Sequence, residues 1–141
     1  MSRTVVRLLS AVLLLFFGAE TLASAETIVL TGGSCTWPSG DAGLKGEKIP
    51  GTNAAKVTVT TKTTVNGGHT AKVKYQIGVV SGGTFVESAS YTRNLTAGAD
   101  QEVSNTFTGL AQVTQYTVKV SIQFDALNPS FFGDRTITVN P

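Results

Sequence analysis

The chain has 141 residues, a formal net charge of +2, a 14% charged fraction and a mean hydropathy of +0.14. These values suit one compact domain and argue against a disordered polymer or a polyanion coat. A single His and a single Cys leave little for proton-transfer chemistry near neutral pH, no internal disulfide and too few ligands for a structural zinc site.

The first segment reads as an address. Arg3 and Arg7 precede an apolar run from Leu8 to Gly18, which is short for a membrane span and is followed by Ala23, Ser24 and Ala25. That is the layout of a secretory signal over residues 1–25 with cleavage after Ala25. Residues 26–141 then form a single domain that works outside the cytoplasm, secreted, periplasmic or at the cell surface. No later segment is apolar and long enough to be an integral span.

The domain opens with a short strand, ETIVL at 26–30. Residues 31–53 follow as a long glycine-rich loop carrying Cys35, Trp37, Pro38, Lys45 and Lys48. Loops of that length in compact domains are commonly functional, so Trp37 is a candidate aromatic platform for a sugar ring or a partner side chain, with a lid over the core as the alternative. Cys35, next to Trp37, is assigned a structural place as a small buried hydrophobe, with pairing to a second chain as the alternative.

From residue 54 onward Thr and Val dominate, and β-branched side chains favour pleated surfaces. KVTVTTKTTV (56–65) is a strand, and Asn66, Gly67 and Gly68 supply a tight hairpin turn into AKVKYQIGVV (71–80). There Ala71, Val73, Tyr75, Ile77 and Val79 alternate with polar residues, the period-two signature of a half-buried strand. After a reversal at Ser81, Gly82 and Gly83, TFVESASYTRNL (84–95) turns Phe85, Ala89, Tyr91 and Leu95 inward. Glu87 and Arg93 share that parity, which places the strand at a rim or edge. EVSNTFTGL (102–110) comes next. VTQYTVKVSIQF (113–124) then points Tyr116, Val118, Val120, Ile122 and Phe124 inward. A loop from Asp125 to Asp134 holds Phe131 and Phe132, and RTITV (135–139) closes the domain. Strands wet on one face are antiparallel in most cases, and two such sheets bury their dry sides against each other. The expectation is all-β: a seven-stranded antiparallel β-sandwich.

Chemistry is sparse in this pattern. His69 follows a turn with no nucleophile motif around it, so no catalytic residue and no cofactor is assigned. Asp125, Asn128 and Asp134 offer oxygen ligands on one loop without the register of a calcium loop, and no metal site is assigned. Two consecutive residues on an extended backbone cannot both face inward, so one of Phe131 and Phe132 is exposed. With Trp37, these two Phe residues are the ligand-binding candidates.

Residues 107–120, FTGLAQVTQYTVKV, resemble the stretch of a fibronectin type III domain that rounds a corner between two strands. In that immunoglobulin-like superfamily a Leu is followed six residues later by a Tyr whose hydroxyl bonds upstream backbone. Leu110 and Tyr116 hold those positions. The family's Trp on the second strand is absent, and Gly133, Asp134 and Arg135 stand where integrin-binding members carry Arg-Gly-Asp, in a different order. The resemblance implies a non-enzymatic protein-interaction or adhesion module acting through loops or a sheet edge. A carbohydrate-binding domain using exposed aromatics and a structural subunit of a surface assembly are the alternatives. Partners are expected to be a protein or glycan, with no nucleic acid.

Overall fold

The computed structural model describes residues 4–5, 24–112, 115–126 and 128–139. Apart from Thr4, Val5, Ser24 and Ala25, the segment read as a secretory signal lies outside the described residues. Ten strands follow in order: β1 (Thr4–Val5), β2 (Glu26–Leu30), β3 (Gly33–Trp37), β4 (Leu44–Lys48), β5 (Ala54–Val65), β6 (Ala71–Ser81), β7 (Thr84–Leu95), β8 (Gly98–Ala111), β9 (Tyr116–Phe124) and β10 (Ser130–Ile137). Every pairing is antiparallel. No helix among the described residues is long and apolar enough to cross a membrane.

Two sheets divide the strands. In the first, β5 pairs with β8 along most of its length on one side, while β3 and β4 share the other side end to end, with β2 and β1 beyond β3. The second has the order β10-β9-β6-β7. The alternation in the sequence decides which side of each sheet is dry. Val57, Val59, Val65 and Val103 from the first sheet and Val73, Ile77, Val118, Val120 and Ile122 from the second join one buried cluster. Each such side chain contributes about 1.5–3 kcal/mol relative to leaving it in water. Tyr75 reaches across: its hydroxyl donates to the Val103 carbonyl at 2.8 Å and shares a 2.6 Å bond with the Thr61 hydroxyl. The hydroxyls of Tyr75 and Thr61 are thereby matched in the interior, as buried polar groups generally are.

The seven strands read from the sequence are all present, but the count is nine strands of five residues or more among the described residues, because the expected loop at 31–53 contains β3 and β4. On β3, Gly33, Cys35 and Trp37 are buried and Ser34 and Thr36 are not; that alternation is five residues long and begins on a glycine, so it carries little apolar signal. The turn at Asn66, Gly67 and Gly68 is closed by the His69 amide donating to the Asn66 carbonyl. It is an arch rather than a hairpin, since β5 and β6 lie in different sheets. The Gly82–Gly83 turn is a true hairpin, with Ser81 opposite Thr84 and both glycines at positive φ, 59° and 80°.

A register shift between Ile77 and Gly78 leaves Ser88 without an opposite number and reverses the parity of the β7 start. Phe85, expected inside, therefore faces out. Glu87 and Arg93 are exposed on β7, which pairs only with β6 among the described residues. Arg93 stands opposite Val73 on the parity of the dry side, at the open edge.

Candidate functional site

Burial separates the three aromatic candidates. Trp37 ends β3 fully enclosed; its indole Nε1 donates to the Gly43 carbonyl at 2.9 Å, and its ring lies 6.3 Å from that of Phe132. Phe132 sits at a bulge in the β10 register and is also fully buried. Neither presents a surface to a ligand, which corrects the assignment of both. Phe131 is 50% exposed. One ring in and one ring out follows from the extended backbone, as the sequence implied.

The structural candidates are all buried. Leu110 and Tyr116 lie in the core, and the Tyr116 hydroxyl donates to the Ala111 carbonyl five residues upstream. Cys35 is an unpaired thiol enclosed in the same core, 3.3 Å from the Thr63 hydroxyl, and burial pushes it up to about 11. A thiol so enclosed cannot reach a second chain.

Arg135 has a role that the sequence reading missed. Its guanidinium lies 4.1 Å from the Trp37 ring centroid, donates to the carbonyls of Pro38, Trp37 and Ser24, and faces the Glu26 carboxylate at 3.9 Å. Desolvation lowers it to about 10. The clue was parity, since Arg135 shares the inward register of Ile137 and Val139.

The expected loop from Asp125 to Asp134 is shorter than read, because β10 begins at Ser130. Asp125 ties it to the β5–β6 arch: one carboxylate oxygen accepts from His69 Nδ1 at 2.6 Å, the other from the Thr70 amide at 2.9 Å, and its own amide donates to the Thr70 carbonyl at 2.8 Å. Asp134 lies instead on β10, opposite Lys119. Among the described residues no three His, Cys, Asp or Glu side chains gather where they could hold a metal ion.

The exposed candidate belongs to the outer face of the β10-β9-β6-β7 sheet. Register assembles that face in rows: Phe131, Ser121, Lys74 and Thr92 across the four strands, with Asp134, Lys119, Gln76 and Ser90 beside them and Gln123, Lys72 and Asn94 on the other side. The Lys119 ammonium lies between two rings, 4.8 Å from the centroid of Phe85 and 5.4 Å from that of Phe131. Such contacts favour the cation and hold the aromatic edges in place. Sequence reasoning found Phe131 but not its neighbours, because Phe85 reaches this face only through the β7 bulge. The face offers the half-exposed Phe131 ring with the partly buried Phe85 ring near it, ammonium groups, the Asp134 carboxylate and neutral hydroxyls and amides.

No family model, curated protein or solved structure matches this chain.

Proposed function

We propose that this chain is a non-catalytic binding module of fibronectin type III-like architecture, working outside the cytoplasm, whose ligand is a glycan held on the outer face of the β10-β9-β6-β7 sheet. The architectural part is supported by the strand order, with β5 and β8 in one sheet and β7, β6, β9 and β10 in the other, and by the Tyr116 bond to Ala111. A signal-like start supports the location.

The observation that carries the ligand class is what remains on the surface once Trp37 and Phe132 are buried: Phe131 in a row with Ser121, Lys74 and Thr92. Protein interfaces concentrate aromatics and Arg at their centres and are depleted in Lys and Ser, the reverse of this face. A sugar needs one ring to cover its apolar side and a set of neutral polar groups for its hydroxyls. Glycan-array binding by the wild-type protein, lost in Phe131→Ser with unchanged circular dichroism, is the expected result. A folded protein that binds no glycan overturns the proposal.

One observation favours a protein partner instead. Val80 and Val86, at the β6–β7 tip and on opposite faces of the hairpin by register, are 57% and 51% exposed, and exposed aliphatic side chains suit protein contacts. A binding activity abolished by Val80→Ser with Val86→Ser but untouched by Phe131→Ser would move the site there.

A further inference from the structure

The two sheets treat their outward lysines differently. On the first, Lys62 stands opposite Glu102, Lys56 stands opposite Glu47, and Lys45 lies 3.7 Å from the same Glu47 carboxylate. Each of these three lysines thus has a carboxylate across the ladder or within 4 Å of it. On the second, Lys119 has Asp134 across from it, but Lys72 is flanked by Gln123 and Asn94, and Lys74 by Ser121 and Thr92. Both β6 lysines are exposed, and among the described residues neither enters an ion pair. Two residues apart on one strand, they project from the same side about 6.6 Å from each other.

We infer that Lys72 and Lys74 form an anion-recognising strip on this face, and that the glycan it takes is acidic, a chain of uronic acid residues whose carboxylates pair with the two ammonium groups. The inference rests on the glycan reading above and adds the charge of the ligand to it. Lysine is a flexible point charge suited to a carboxylate that arrives in solvent. The neutral groups beside it, Ser121, Thr92 and Asn94, match sugar hydroxyls. The charge is sparse, one ammonium every second residue, which suits a chain with one anion per sugar rather than a densely sulfated one. Phe131, in the row of Lys74, covers the apolar side of a ring bound there.

Calorimetric titration of the full domain with oligogalacturonate, a neutral gluco-oligosaccharide, dextran sulfate and poly-glutamate tests this. Oligogalacturonate is expected to bind best. Its affinity should fall about tenfold or more in a Lys72→Gln, Lys74→Gln variant and decline with added salt. The same changes at Lys56 and Lys62, on the opposite sheet, should leave it unaltered. Equal affinity for poly-glutamate or dextran sulfate, or a β6 variant that binds oligogalacturonate like the wild type, overturns the inference. Binding of the neutral sugar alone overturns the inference and leaves the glycan reading standing. Failure of every sugar on a folded protein removes both.

Discussion

Tyr116 illustrates what one hydroxyl does in this fold. The ring fills core volume while the oxygen secures the Ala111 carbonyl at the end of β8, where the chain leaves one sheet for the other. Tyr116→Phe keeps the volume and removes the bond, so urea unfolding should register a loss of about 1 kcal/mol. Asp125 does comparable work at the opposite turn, in the left-handed region at φ 56°. The hydrogen bond from His69, and after it the Thr70 amide, hold its carboxyl below the ordinary carboxylate range. Because the folded value is depressed, its contribution is present above the unfolded carboxylate pKa and disappears as pH falls through the folded one. The stability difference between wild type and Asp125→Asn should therefore narrow on acidification, as followed by urea midpoints across the acid range. Both partners were visible in the sequence, but Asp125 is 56 residues from His69, and only the β6–β9 pairing, with Ala71 opposite Phe124, brings them together. Arg135 was legible in principle. A cation at an inward parity reads as a strand start until Trp37 is known to lie beneath it.

The strongest elements were legible because their alternation is long. β6 and β9 carry buried residues at every second position for most of their length, and no helix can satisfy that period. β3 and β4 were missed because each is five residues long and β4 buries only Leu44. Turn chemistry was equally ambiguous, since Asn-Gly-Gly serves an arch as readily as a hairpin. The bulge in β7 had no sequence mark except Gly78 on the strand opposite. A Cβ at Gly78 would stand 2.1 Å from the Val86 carbonyl oxygen, so the two strands approach there as only glycine permits. Gly78→Ala should cost about 1–3 kcal/mol and should disturb Phe85. Urea unfolding measures the first effect, and loss of the contact between Lys119 and Phe85, seen in side-chain NMR shifts, reports the second.

At the scale of the molecule, the sandwich-like all-β arrangement followed from composition and period, whereas the site did not. A reader of the sequence looks for function in the longest stretch without pattern, which here is occupied by β3 and β4. The rows of the β10-β9-β6-β7 face are set by register between strands far apart in the chain, and register is invisible until pairing is known. The same pairing leaves β7 and β8 each bonded on one flank only among the described residues. Long unpaired strands invite association, and a charge on the inward parity is a recognised deterrent. Arg93, opposite Val73, occupies such a position. Arg93→Val should raise the mean molar mass read by light scattering above that of the wild type at the same concentration. A single guanidinium at that border thus opposes the stitching of neighbouring copies into one continuous ribbon.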